Sequence, residues 1–245
     1  MTPILSPDQN AKSLSERVPD ALRYDGHSDD PWEVAGIMRA AMPRNARVLD
    51  VGCGTGSLTL IVNHEKGNRV LALEPDADRA EEARRRGIDI HCRELDAAFL
   101  REHGPFDAMI FADVLEHLPS PGGVLELAAS GLAPDGLIFI SVPNVAHWSV
   151  RGNLLLGRFE YEPVGIMDAT HLRWFTEKSL RRFIKRAGLD IVSVKAAAGV
   201  NLPVYNRFIL RRVPYRLRKP VVRLATRLMP RLFGSQFVVV ARKLT

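Results

Sequence analysis

The chain has 245 residues, 46% of them hydrophobic, enough to bury the core of one large domain or two small ones. Its two cysteines, Cys53 and Cys92, make neither a disulfide framework nor a zinc site, so a reducing, cytoplasmic setting is expected. The net charge of +6 is uneven: 12 of the 34 Lys and Arg follow Asp190, after which there is no acid, leaving 22 basic against 28 acidic residues before that point. A basic tail on an acidic body seeks an anionic partner, a lipid surface or a polyanion. No basic segment followed by an apolar one opens the chain, and no apolar run nears the roughly 20 residues that span a bilayer. Neither a signal peptide nor a transmembrane helix is therefore expected.

Residues 1–28 are polar, carry Pro3, Pro7 and Pro19, and read as a partly ordered leader; residues 29–245 read as a single domain. Asp29-Asp30-Pro31 has the acids and proline of a helix start, with Trp32, Ile37, Met38 and Ala41 on one apolar face. Arg47–Val51 reads as a short buried strand, 52–56 (GCGTG) as a tight turn, and Ser57–Asn63 as the following helix. A strand, a glycine turn and a helix form the front half of a βαβ nucleotide site, where glycine lets the backbone approach a ligand. The spacing here is GxGxG, with Asp50 two residues before the first glycine. It is not the GxGxxG of dinucleotide enzymes, and without a following Lys-Ser/Thr it is not a phosphate-cradling P-loop. An acid beside the turn disfavours a pyrophosphate and suits an ammonium, such as the amino group of S-adenosylmethionine.

On these residues, 47–59 (RVLDVGCGTGSLT) resembles motif I of the class I S-adenosylmethionine-dependent methyltransferases. The resemblance implies an α/β, Rossmann-like, doubly wound sheet of seven strands, mostly parallel with the last strand antiparallel. It also implies S-adenosylmethionine as cofactor, held by Asp50, Gly52, Cys53, Gly54 and Gly56.

Arg69–Leu73 reads as the second strand and ends at Glu74-Pro75-Asp76. In a βαβ nucleotide site an acid at this position bonds the ribose hydroxyls, which selects Glu74, with Pro75 beside it. Residues 78–86 read as a charged surface helix and 88–92 as the third strand. The resemblance places an acid just past that strand against the adenine amino group, with the next backbone N–H on a ring nitrogen. Spacing assigns these to Glu94 and Leu95, with Asp96 as the competitor. Residues 106–111 read as the fourth strand and run into Asp113-Val114-Leu115-Glu116-His117-Leu118. That string resembles the DVLEHL segment of many small-molecule methyltransferases. Ligands bind at the C-terminal ends of parallel strands, which sets Asp113 beside the cofactor and His117 towards an acceptor. Glu116 and His117 are equally suited to locking the next helix, 121–132. Residues 133–136 (APDG) read as a turn and 137–142 as a fifth strand buried on both faces.

Residues 144–175 read as a long substrate-side loop carrying two His, two Trp, two Phe, a Tyr and two Asn. The stretch resembles the SVPN…GRF.Y…D.THLR.FT segment of methyltransferases from bacterial polysaccharide and secondary-metabolite pathways. Asn144, Trp148, Tyr161 and Trp174 are its expected acceptor contacts, the three aromatic rings being equally suited to the core. An oxygen nucleophile must lose a proton as it takes up a methyl group, and a histidine near neutral pKa suits that task. His171 ranks first, with Asp168 three residues earlier to orient it; His147 ranks second. His27, His64, His91 and His103 lack such a context, and the His and acids are too scattered along the chain to nominate a metal site.

Residues 176–187 read as an amphipathic helix capped by Thr176, 189–194 as the sixth strand and 235–241 as the last. Between those strands, 199–234 is a basic amphipathic insertion, in which Pro203, Pro214, Pro220 and Pro230 break helical pieces rich in Leu, Val and nine Arg or Lys. Segment 203–232 suits an anionic membrane surface, and equally a cap on its own domain or on a second copy in a homo-oligomer. Nucleic acid is disfavoured, because Tyr205, Phe208, Tyr215 and Phe233 are its sole stacking platforms. The expected activity is O-methylation of a sugar, glycan or lipid-linked small molecule with a histidine base. The alternatives are a quinone or prenyl-lipid methyltransferase at a membrane surface, and a non-catalytic S-adenosylmethionine-binding module.

Overall fold

A computed structural model describes residues 25–206 and 213–244. Most of the expected leader and residues 207–212 of the basic insertion lie outside the described residues. Seven strands form one sheet: β1 (Arg47–Val51), β2 (Arg69–Leu73), β3 (Asp89–His91), β4 (Phe106–Ala112), β5 (Leu132–Pro143), β6 (Leu189–Ala197) and β7 (Gln236–Lys243). Their order is β3-β2-β1-β4-β5-β7-β6. The pairs among β1 to β5 are parallel, and β7 runs antiparallel to both β5 and β6. The doubly wound, seven-stranded α/β fold expected from the sequence is the fold observed.

The early helices are α1 (Val34–Ala41), α2 (Ser57–Asn63), α3 (Ala77–Arg85), α4 (Ala97–His103) and α5 (Pro121–Ser130). The later ones are α6 (Trp148–Leu155), α7 (Glu177–Arg186), α8 (Tyr215–Leu228) and α9 (Pro230–Phe233). Because successive strand side chains point to opposite faces, β1 sorts its own residues. Val48 packs with Val34, Ile37 and Met38 of α1 and Leu58 and Val62 of α2, while Leu49 and Val51 pack with Phe99, Leu125, Leu180 and Ile184 across the sheet. Each such large side chain buried contributes about 1.5–3 kcal/mol.

Five local differences from the sequence reading have physical causes. Helix α1 starts at Val34, not at the acids, because Asp30-Pro31-Trp32-Glu33 forms a turn in which the Asp30 carbonyl accepts the Glu33 N–H at 2.9 Å and Asp30 Oδ1 the Trp32 N–H at 3.0 Å. The sequence reading passed over α4, which Asp96 caps by accepting the Phe99 N–H at 2.8 Å. The turn expected at 133–136 is a bulge within β5: Phe106 pairs with Leu132 and Ala108 with Leu137, so the residues between loop out. The long loop holds α6, a helix with little amphipathic pattern because only Val150 of its residues is buried. Pro220 does not break α8 but lies inside it, while Pro214 and Pro230 do bound helices.

Helix α7 starts with a reciprocal cap, in which Thr176 Oγ1 accepts the Ser179 N–H at 3.2 Å and Ser179 Oγ accepts the Thr176 N–H at 2.9 Å. Thr176→Ala is expected to cost about 1 kcal/mol. Thermal unfolding should show a Tm lower by about 2–4 °C, and an unchanged Tm would show that the cap contributes nothing.

Candidate functional site

The site begins where β1 ends. Gly52 has φ +71°, and a Cβ there would lie 2.8 Å from Val114 Cγ2; Gly56 has φ +79°, and a Cβ there would lie 2.0 Å from Ile88 Cδ1. Only glycine satisfies both the left-handed backbone and the close approach. The Gly52 and Cys53 N–H groups donate to the Leu73 carbonyl at 2.7 and 3.1 Å, which ties the turn to the end of β2. Glu74 completes the tie. Its buried carboxylate accepts the Gly54 N–H at 2.8 Å and the Asp76 N–H at 3.0 Å. Asp50 is buried under the same turn and accepts the Thr59 hydroxyl at 2.7 Å. Burial, helped by the charge of Glu74 and opposed by the Thr59 bond, pushes its pKa up to about 7. Burial also pushes the Cys53 thiol well up, so it stays protonated.

A cavity of about 800 Å³ lies at the C-terminal ends of β1, β2, β4 and β5. Of the residues expected at the cofactor, Asp50, Gly52, Cys53, Gly54, Glu74, Pro75, Glu94, Leu95 and Asp113 line it; Gly56 does not, and its N–H closes the turn on the Cys53 carbonyl at 3.0 Å. Asp96 does not line it; it caps α4 and pairs with Arg93. Asp113 has φ +55°, an uncommon conformation for a residue other than glycine. Its carboxylate accepts the Ser141 hydroxyl at 2.8 Å and the Gln236 amide at 2.7 Å, which fixes it in the cavity wall.

The acceptor-side expectations divide. His117 and His171 line the cavity with their ring centroids 4.8 Å apart. His171 Nδ1 lies 3.3 Å from the Ile166 carbonyl oxygen. A carbonyl only accepts, so Nδ1 carries the hydrogen and Nε2 keeps its lone pair. The Ile166 carbonyl orients the ring, while Asp168, the orienting group suggested by the sequence, uses Oδ1 to accept the Thr170 N–H at 2.8 Å and hydroxyl at 2.6 Å. Burial, then the neighbouring His117, lowers the His171 pKa against the opposing pull of Asp168, so the imidazole is neutral at neutral pH.

His147, the second-ranked base, is fully buried away from the cavity. Its Nδ1 lies 2.8 Å from Ser149 Oγ, its Nε2 faces Tyr205 Oη at 3.4 Å, and burial lowers its pKa to about 4. It caps α6 and belongs to the packing. Asn144 is likewise buried, its amide donating to the carbonyls of Gly234 at 2.8 Å and Arg231 at 3.2 Å. Trp148 packs with Tyr205 and Val222, and Tyr161 and Trp174 pack on each other and on Phe159. None of these four lines the cavity.

The fold adds residues that sequence reasoning missed. Arg86 donates to both carboxylate oxygens of Asp25 at 2.7 and 2.6 Å, and Thr55 Oγ1 donates to Asp25 Oδ1 at 2.5 Å. This clamp holds Asp25 well below the usual carboxylate range and lays the segment before α1 over the glycine turn. His27 thereby enters the cavity wall, where surrounding protein lowers its pKa against the charges of Asp113 and Asp25. A lone histidine in a polar leader carries no pattern that marks this. Gly199, Asn201, Leu202 and Pro203, after β6, line the cavity too.

Glu116 lines the cavity while buried, and neither of its carboxylate oxygens has a hydrogen-bond partner among the described residues. Burial, with Asp113 and Asp168 nearby, raises its pKa well above the ordinary value. Ligand atoms of Glu116, His117 and His171 lie within 4.8 Å of one another, the one such grouping among the described residues. The sequence nominates no metal site because its His and acids are scattered along the chain; the fold brings His171 beside the adjacent Glu116 and His117.

Comparison with known proteins agrees with this fold. A family model described as a methyltransferase domain matches residues 28–194. The ubiquinone biosynthesis O-methyltransferase of Burkholderia pseudomallei (strain K96243) is 30% identical over 200 residues, 75% of this chain and 81% of that protein. The enzyme of the same name from Neisseria meningitidis serogroup C is 27% identical over 197 residues, 75% of each chain. Among solved structures, a SAM-dependent methyltransferase from Archaeoglobus fulgidus is similar with a TM-score of 0.54 at 20% identity, covering 85% of this chain and 94% of that one. A Burkholderia thailandensis 1,6-didemethyltoxoflavin-N1-methyltransferase, solved with its substrate and S-adenosylhomocysteine, gives a TM-score of 0.52 at 23% identity over 93% of this chain and 80% of that one.

Gly56→Ala forces a Cβ into Ile88 and an unfavourable φ. It is expected to cost at least about 1–2 kcal/mol and to weaken S-adenosylmethionine binding. Thermal unfolding and calorimetric titration check both, and a variant with unaltered Tm and affinity would remove the steric argument.

Proposed function

The chain belongs to the class I S-adenosylmethionine-dependent methyltransferases, and on that premise we propose that it methylates a hydroxyl oxygen of a small or lipid-linked acceptor, with His171 as general base. The observation that carries this is the His171 imidazole in the same cavity as the glycine turn, with its Nδ1 committed to the Ile166 carbonyl and its Nε2 left with a lone pair. Bound S-adenosylmethionine supplies a methyl group already activated on a sulfonium, so the protein has to align the acceptor and take its proton. His171 Nε2 is the acceptor of that proton, and the resulting imidazolium is favoured by the nearby charges of Asp168 and Asp113.

The residues fit the cofactor. Glu74 spends two of its acceptor sites on the turn and on α3, and its remaining lone pairs suit two ribose hydroxyls. Asp50, poised near neutrality, gains its charge when a cationic amino group lies beside it. Glu94 and Leu95 suit the adenine edge, since Asp96 is committed to the α4 cap.

Two acceptor classes share the hydroxyl chemistry. The sequence motifs favour a sugar, glycan or lipid-linked intermediate. The apolar wall made by Val114, Leu118, Ile166 and Leu202, together with the names of the ubiquinone biosynthesis relatives, favours a phenolic ring of the quinone or prenyl-lipid type. Methyl-labelled S-adenosylmethionine with a fractionated host extract separates them by whether label enters the glycan or the quinone fraction.

Glu74→Ala is expected to weaken S-adenosylmethionine binding more than tenfold in a calorimetric titration, as loss of a charge-assisted contact implies; undiminished affinity would remove Glu74 from the cofactor site. His171→Ala is expected to lower turnover about 100-fold or more without changing that affinity. Turnover that survives EDTA in the unaltered enzyme keeps the proton with His171. Loss on chelation, restored by Mg²⁺, would assign Glu116, His117 and His171 to a cation instead.

A further inference from the structure

Helix α8 has two unlike faces. Its inner face is tied down: Val222 and Thr226 are buried, Arg218 Nη1 donates to the Tyr205 carbonyl at 2.5 Å, and Lys219 pairs with Asp30 at 2.9 Å. Its outer face carries Leu217, Val221, Leu224 and Leu228, exposed to 62, 65, 56 and 71%. These four positions recur at the helical spacing i, i+4, i+7, i+11 and make one continuous apolar stripe. Met229, at the junction with α9, extends it, and exposed Arg216 and Arg227 flank it. Water-exposed apolar stripes of this kind mark interaction surfaces.

We infer that α8 docks the enzyme on an anionic lipid surface, with the Leu217–Leu228 stripe in the headgroup boundary and the flanking arginines on lipid phosphates. The charge pattern selects this occupant. No Asp or Glu follows Asp190, so a second copy of α8 would bring like charges together, whereas an anionic leaflet neutralises them. The nearest acids are already used: Asp30 pairs with Lys219 and Arg223, and Glu177 with Arg181 and Arg231. Among the described residues no helix is long and apolar enough to cross a membrane, so the contact is peripheral. Arg218 ties α8 to the turn Pro203–Asn206, and Leu202 and Pro203 line the cavity. A docked α8 therefore holds that edge of the cavity at the lipid surface. This consequence, unlike the docking itself, depends on a lipid-linked acceptor.

The test is co-sedimentation of the full-length protein with vesicles of phosphatidylcholine alone or of equimolar phosphatidylcholine and phosphatidylglycerol. Binding is expected to the mixed vesicles only, and to weaken as salt is raised. Leu224→Ser/Leu228→Ser and Arg216→Glu/Arg227→Glu should each lower that binding about tenfold or more. Both pairs should keep unaltered S-adenosylmethionine affinity, which shows that they fold. Absence of binding by the unaltered protein, or equal binding by both double variants, overturns the proposal. So does loss of binding in Leu155→Ser alone, which moves the surface to the end of α6. A dimer in light scattering that Leu224→Ser/Leu228→Ser dissociates, without vesicle binding, assigns the stripe to a second copy. Retention on heparin without vesicle binding assigns the arginines to a polyanion. Turnover on a soluble acceptor is independent of all these outcomes, so failure of docking leaves the methyl-transfer proposal standing.

Discussion

A carboxylate taken out of water needs donors to replace it, and Glu74 finds them in the backbone of two different connections. Gly54 belongs to the turn after β1, and Asp76 caps the helix after β2. One side chain therefore holds the two strand ends in the arrangement that opens the cavity. The glycines are subordinate to this tie. Gly52 and Gly56 are needed because a turn drawn that close to Val114 and Ile88 has no room for a Cβ at either position. Asp50, underneath, is desolvated by the same packing, which is why its pKa climbs towards neutrality.

The opposite wall is built by a second junction, this time through main chain. The Glu116 carbonyl accepts the N–H groups of Leu172 and Arg173 at 2.8 and 3.1 Å. The turn after β4 and the end of the long loop are thus one unit, and His117 meets His171 because their backbones are bonded beside them. The other end of that loop is anchored by Asn144, whose buried amide reaches the chain around α9. Buried polar side chains in this stretch hold the wall in place, and a few of them face the cavity.

Both terminal regions wrap around this centre. Asp25, clamped by Arg86 and Thr55, brings the segment before α1 onto the glycine turn. Asp30 then pairs with Lys219 and Arg223 of α8, and the Ala198 N–H donates to the Trp32 carbonyl at 2.7 Å. The acidic body and basic tail seen in the composition thus meet in specific pairs. The outer face of α8 stands apart from these pairs.

The strand patterns of β1, β2, β4 and β7 and the GxGxG turn were legible because each is a local signal: an apolar run, a glycine spacing, an acid at a strand end. The order of those signals determined the fold class and set the glycine turn, Asp50 and Glu74 at the cavity. Local patterning was silent where the cause is tertiary. Helix α6 shows little amphipathic pattern because it buries little of itself, and Pro220 is tolerated within α8 against its usual helix-breaking tendency. The histidines show the division most clearly. In sequence, His147 and His171 share one aromatic-rich loop, and His27 stands without such a context in the leader. Packing alone decided that the first caps a helix in the core, that the second lines the cavity with its Nδ1 spent on a carbonyl, and that the third is carried there by the Asp25–Arg86 clamp. Residue type sets what a side chain can do; which atoms surround it is set by contacts between segments far apart in the chain, and no local spacing encodes those.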